Sequence, residues 1–188
     1  MKKAFIALTA TVLLIACNNE KKNDDKMSGD KKEEKKMSEN ITYPYKAEYS
    51  SDFSIGDANH SKLVLDFYKM WEDNKLDDMK AVLTDSVGVN FSDGSKFNNT
   101  SDSLIRMAKQ FRSNYSSVKI TVDAWMPVHV NDKNEDWVLI WNRSYNTDQK
   151  GKVDSTGGHS YWMIKNNKIA YWGEMQSKLT APPPAKTK

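Results

Sequence analysis

Cysteine is almost missing from this chain of 188 residues: Cys17 is the only one. No intramolecular disulfide can therefore form, even in an oxidising compartment. Histidine is nearly as scarce. His60, His129 and His159 have no ligand spacing and no second thiol to help them, so no metal centre is expected. There is no G-x-S-x-G elbow, phosphate loop or dinucleotide fingerprint, and no cofactor is implied. A basic stripe is lacking too. The formal charge is +3, but residues 1–16 contribute +2 and the 181–188 tail another +2, while 18–40 balances seven Lys against seven acids. Residues 41–180 are left at −1, which argues against a nucleic-acid partner. Those 140 residues hold all six Trp, all eight Tyr and five of the six Phe. They suffice for one domain with a real core, and two would be too small.

What is present at the start is an address. Lys2-Lys3 precedes a 13-residue apolar stretch, Ala4 to Ala16, interrupted only by Thr9 and Thr11. It is too short to span a bilayer and has the anatomy of an export signal. It ends in Leu14-Ile15-Ala16-Cys17, which resembles the lipobox of bacterial lipoproteins. The resemblance implies cleavage of 1–16 and a lipidated Cys17, since stable anchoring needs at least two acyl chains. Asn18 after the Cys differs from the Asp that resembles an inner-membrane retention cue, so the expected location is the outer membrane of a Gram-negative envelope, facing periplasm or surface. Residues 17–40 carry 14 charges and no aromatic. They read as a lipidated, charged and disordered tether, and 181–188, with three consecutive prolines, as a tail.

The folded part begins with an irregular strap, 41–58. Leu63, Phe67 and Met70/Trp71 then recur at helical spacing over 59–74. Leu76 to Leu83 predicts a second, short helix with Asp77-Asp78 in its first turn. Val87, Val89 and Phe91 alternate as a strand, and Asp93-Gly94 is a hairpin signal. Thr100 or Ser101 can cap a third helix through Leu104, Ala108, Phe111 and Tyr115. Four strands follow: 118–130, 137–145, 159–165 after a Gly157-Gly158 loop, and 169–176 after the Asn166-Asn167 turn. Helices followed by strands imply an α+β domain with helices on one face of a bent sheet.

That order, over 59–180, resembles the cone-shaped fold of nuclear transport factor 2 and its SnoaL-like relatives, also called cystatin-like: three helices on a curved antiparallel sheet. The supporting stretches are Asn74-Lys75-Leu76-Asp77-Asp78-Met79, Leu83-Thr84-Asp85-Ser86-Val87 and Asn167-Lys168-Ile169. The family implies a ligand cavity between the inner sheet face and the helices. It includes cyclases, isomerases, dehydratases and pocketed proteins without known activity. Compared with ketosteroid isomerases, the general-base position falls on Phe91, beside Asn90. The oxyanion-hole tyrosine falls on Phe67, next to Tyr68, and the protonated aspartate on Ser160. All three depart, so that activity is not inherited.

The residues left for chemistry are His129, His159 and Glu174, a set capable of acid–base work if they meet in one pocket. Each also has a plain reading as a strand-end, loop-edge or surface residue, and His60 as a capping or surface residue. Trp141, Trp162 and Trp172, with Glu174, could line a pocket for a small apolar or ring-bearing ligand. Glu174 beside Trp172 would then have a raised pKa. Strand 137–145 is apolar on both parities and needs a second cover, for which a homodimer through the sheet or the strap could serve. Asp85-Ser86-Val87, Asp102-Ser103-Leu104 and Asp154-Ser155-Thr156 resemble O-glycosylation acceptors of exported proteins, at Ser86, Ser103 and Ser155. The expectation is a lipid-anchored domain that binds a small ligand or a partner without catalysis. The alternatives are a SnoaL-type enzyme or a structural module of envelope assembly.

Overall fold

The computed structural model describes residues 41–180. The leader, Cys17, the tether and the tail lie outside the described residues. Helix α1 spans Ala58–Glu72. Asp57 caps it, its carboxylate accepting from the Asn59 amide at 2.8 Å. Just past its Asp73 cap, Asn74 takes a left-handed φ of 58°, a conformation asparagine tolerates better than most residues. Its buried stripe is His60, Ser61, Val64 and Phe67, so His60 is not the surface residue its position suggested. Helix α2 covers only Leu76–Met79 and continues as a 3₁₀ turn, Lys80–Val82, before the chain straightens. Helix α3 is Ser101–Arg112, with Thr100 accepting from the Ser103 amide. It stops short of Tyr115. The buried Arg112 guanidinium donates to the carbonyls of Trp71, Glu72 and Tyr115, closing two helix ends on one side chain.

Seven strands form one sheet: β1 Phe53–Ile55, β2 Leu83–Asn90, β3 Lys96–Thr100, β4 Tyr115–Val130, β5 Glu135–Asp148, β6 Val153–Lys165 and β7 Lys168–Lys178. Their spatial order is β1-β4-β5-β6-β7-β2-β3. The meander β4 to β7 is antiparallel throughout, as the alternation predicts. The β2–β3 hairpin attaches to the free edge of β7, with β2 running parallel to it, so the sheet is mixed rather than wholly antiparallel. The strap is not irregular throughout, because β1 pairs with the last residues of β4. Gly157 and Gly158 are not a loop either; they lie inside β6. A Cβ on Gly158 would sit 1.9 Å from the Met175 carbonyl oxygen, so β7 passes too close there for any side chain. Asn166 and Asn167, at φ 53° and 56°, make the expected two-residue turn.

The core lies between the inner face of the sheet and the helices. Val138, Ile140, Trp162, Ile164, Ile169 and Trp172 meet Val64 and Phe67 of α1 and Leu104 and Ile105 of α3. This is a two-layer α+β arrangement.

Candidate functional site

Side chains alternate between the faces of a strand, and paired residues share a face. Ile140, Ser160 and Glu174 are registered side by side on β5, β6 and β7, facing the helices. Asn142 continues the inner row one step along β5 and is buried. From α1, the Tyr68 hydroxyl reaches Ser160 Oγ at 2.9 Å and donates to Asn142 Oδ1 at 3.4 Å. The Trp162 indole N–H donates to the same Ser160 oxygen at 2.7 Å. Ser160 is thus the hub of a polar row set in an apolar face.

Burial pushes the Tyr68 phenol up to about 12; Ser160 opposes this and the nearby Glu174 charge adds to it. Glu174 is itself raised, first by burial and further by the charge of Asp93, against the Gln176 amide that donates to it at 2.6 Å. A half-buried carboxyl beside a hydroxyl row can donate or accept a hydrogen bond on its inner side. Glu174 lies two residues from Trp172 on the same face of β7.

The histidines do not join it. His129 Nδ1 lies 2.8 Å from Asp136 Oδ1, a partner the sequence reading did not identify, near the β4–β5 hairpin. Asp136 is six residues along β5 from Asn142, roughly 20 Å at the usual rise per strand residue. His159 is exposed on the outer face, registered beside Trp141 and Met175. The three candidates thus occupy three separate places.

The tryptophan set divides as well. Trp162 and Trp172 stack at 4.8 Å and 15°, and Phe67 meets both edge-on at 5.5 and 5.6 Å. They fill the interior rather than lining a space. Trp141 is on the opposite face and 40% exposed. Ser155 is buried within β6, so its hydroxyl is not offered in a loop. Ser86 is exposed on β2, and Ser103 bonds Thr100 and Arg106 in the first turn of α3.

The aligned positions Phe91, Phe67 and Ser160 carry no proton-transfer group, but Tyr68 enters the row that Phe67 was expected to face. Asn142 was not singled out by sequence, and Tyr68 was noted only as the neighbour of Phe67. The available signal was Asn142 continuing the Val138–Ile140 parity of an apolar strand. A separate hollow of about 270 Å³ lies among Asn74, Leu76, Asp77, Lys109 and Ser113. The ion-paired Lys109 and Asp77 are part of its lining, whereas Tyr68, Asn142, Ser160 and Glu174 are not.

Among known proteins, no family model matches the chain and no curated protein does. Solved structures do. An LEH-like epoxide hydrolase of M. tuberculosis superposes with TM-score 0.54 at 9% identity, over 63% of this chain and 83% of that one. A putative SnoaL-like polyketide cyclase from Jannaschia sp. CCS1 gives 0.54 at 11%, over 69% and 97%. An uncharacterised cystatin-fold protein from Novosphingobium aromaticivorans gives 0.52 at 10%, over 64% and 99%. The domain therefore has the nuclear transport factor 2-like, SnoaL-like fold: three helices on a curved mixed sheet. At such identities the likeness extends to the fold alone.

Proposed function

We propose that this chain is an outer-membrane lipoprotein whose cone domain binds a partner and does not turn over a substrate. One observation carries the reading: the Trp162–Trp172 stack, with Phe67 against it, occupies the space between α1 and the sheet where the fold's relatives are expected to hold a ligand. The separation of His129, His159 and Glu174 supports it. The test is native mass spectrometry of the full chain extracted from membranes. The expected mass is that of the acylated chain alone, whereas a stoichiometric small molecule would overturn the reading. Labelled fatty acid should enter at Cys17, and Cys17→Ala should block both labelling and cleavage. A normally processed Cys17→Ala protein would refute the anchor.

Glu174 favours a second reading. Its raised pKa and the Tyr68 hydroxyl on the same row suit an acid that protonates a leaving oxygen. Turnover of an epoxide or a polyketide-like substrate, lost in Glu174→Gln, would establish that reading in place of the first.

A further inference from the structure

We infer that the corner where the chain enters the domain is a docking surface of its own, made by protein side chains against a phospholipid headgroup layer. This rests on the anchor proposed at Cys17 and goes beyond it. Acyl chains there hold the far end of the tether, whereas this contact seats the domain itself. Four large apolar or aromatic residues fall within the eleven positions 45–55. Tyr45 is 88% and Ile55 79% exposed, and Tyr49 and Phe53 are each 49% exposed. Phe53 and Ile55 pair with Val130 and Val128, and Val128 pairs with Trp137, so both lie on the outer face of the sheet. Neither belongs to the core. Met126, two residues along β4 from Val128 and 38% exposed, extends the patch.

The fold does not call for this exposure. Backbone pairing holds β1 whatever side chains it carries, and a serine at 55 would serve it equally. Exposed apolar residues gathered at one corner mark an interaction surface. Tyrosine and phenylalanine beside an aliphatic residue suit the headgroup boundary, where an apolar ring and a polar tip are both satisfied. Lys133 fits the same setting. Its Nζ lies 4.8 Å above the Tyr49 ring, on a stem that can lie along apolar surface while the charge meets a lipid phosphate.

The length of chain ahead of the corner says why the occupant is lipid. Residues 18–40 lead from Cys17 straight into 41–55, so this corner is the part of the domain nearest the anchor along the chain. As the tether its composition predicts, that segment has an r.m.s. reach of ~25–30 Å, which keeps the corner beside the membrane at an effective concentration of about a millimolar. Shallow apolar insertion then suffices, without the large area a free protein partner needs. Charge sets the mode. Residues 45–57 carry one Lys against three acids, and 131–136 again one Lys against three acids. Anionic headgroups are therefore not the attraction, and the contact is apolar insertion into zwitterionic lipid that added salt does not screen.

The full acylated chain in vesicles of phosphatidylethanolamine and phosphatidylcholine tests this. With the Cys17 sulfur acylated, Ile55→Cys carries the one free thiol for a nitrobenzoxadiazole label. Tyr45→Cys gives a second position, and Phe111→Cys, exposed on α3 beside Tyr115 at the far end of β4, the control. Emission at 45 and 55 should shift to the blue, and a lipid-borne nitroxide near the headgroups should quench it at least about twofold more than at 111. The difference should persist in about 0.5 M salt, and Ile55→Asp should return the label at 45 to water. Labels at 45 and 55 as open to aqueous iodide as the one at 111 overturn the contact and leave the anchor standing, since the acyl mass is read on the same sample. Labels shielded from iodide but untouched by the lipid quencher overturn it too, because a protein then covers the corner. A chain without acyl mass at Cys17 removes the anchor reading and this inference with it.

Discussion

Two glutamates of this domain respond to acid in opposite directions. Glu72 pays desolvation, which alone would raise its pKa, but the Ile120 amide, Lys69 and Lys119 outweigh it and the net shift is downward from 4.5. Its contribution to stability is present above that value and is lost as pH falls through the lowered one. Glu174 is raised above 4.5, so the native state binds its proton more tightly than the unfolded chain does. Its effect is a destabilisation that grows as pH rises from 4.5 through the folded pKa. Glu174→Gln should therefore raise the melting temperature at pH 7 and leave it nearly unchanged at pH 4. An equal effect at both pH values would show that Glu174 is not desolvated. Arg112 is the buried cation at this scale. Arg112→Met strips three carbonyls of their donor and should cost about 2–4 kcal/mol in urea unfolding. A loss within experimental error would mean the carbonyls find other partners.

At the scale of elements, the sensitive point is the open edge of β4. Strand β1 pairs only with Val128 to Val130 and leaves most of a 16-residue strand without a neighbour on that side. Such an edge invites pairing with other chains. Three features blunt it: the Glu72 carboxylate takes the Ile120 N–H at 2.8 Å, Pro127 has no N–H, and the register shifts between Val122 and Ala124. Glu72→Ala should increase light scattering on mild heating, and Glu72→Gln, which still accepts from Ile120, should not. Identical scattering in both variants would remove this role. In β6, Gly158→Ala should cost about 3 kcal/mol or more, since the clash is with backbone that cannot rotate away. Gly94→Ala meets nothing within 4 Å and should cost only the strain of its φ of 85°.

These elements also mark what could be seen in advance. The meander and the Asn166–Asn167 turn are written in local alternation and turn chemistry. Glu174 stood out as the only acid within 169–176, the span predicted for the last strand. Tyr115, β1 and the Gly157–Gly158 stretch were misassigned because their conformation is set by distant contacts: Arg112 ending α3, the edge of β4 receiving residues 53–55, and β7 crossing Gly158. That Tyr68, noted only beside Phe67, meets Asn142 could not be foreseen, because the meeting depends on how α1 is rotated over the sheet, which no local pattern encodes.

For the whole molecule, the anchor proposed at Cys17 would tie the domain to the membrane from its amino-terminal side. The route of the chain into the domain then acquires a mechanical meaning. Any drag on an anchored protein enters at the amino-terminal side and reaches β1 first. Three paired residues hold that strand, helped by Tyr49 on Glu135, Ser50 on Asp132 and Asn131 on Asp52. The β4–β5–β6–β7 meander behind it is joined along nearly its full length. Under load β1 should yield as a fuse, in a small first step ahead of the main rupture in single-molecule pulling from residue 17; a single rupture with no such step would refute this. Freeing residues 45–57 pays out about 45 Å of contour, and the helices and meander would stay folded while the slack is taken up.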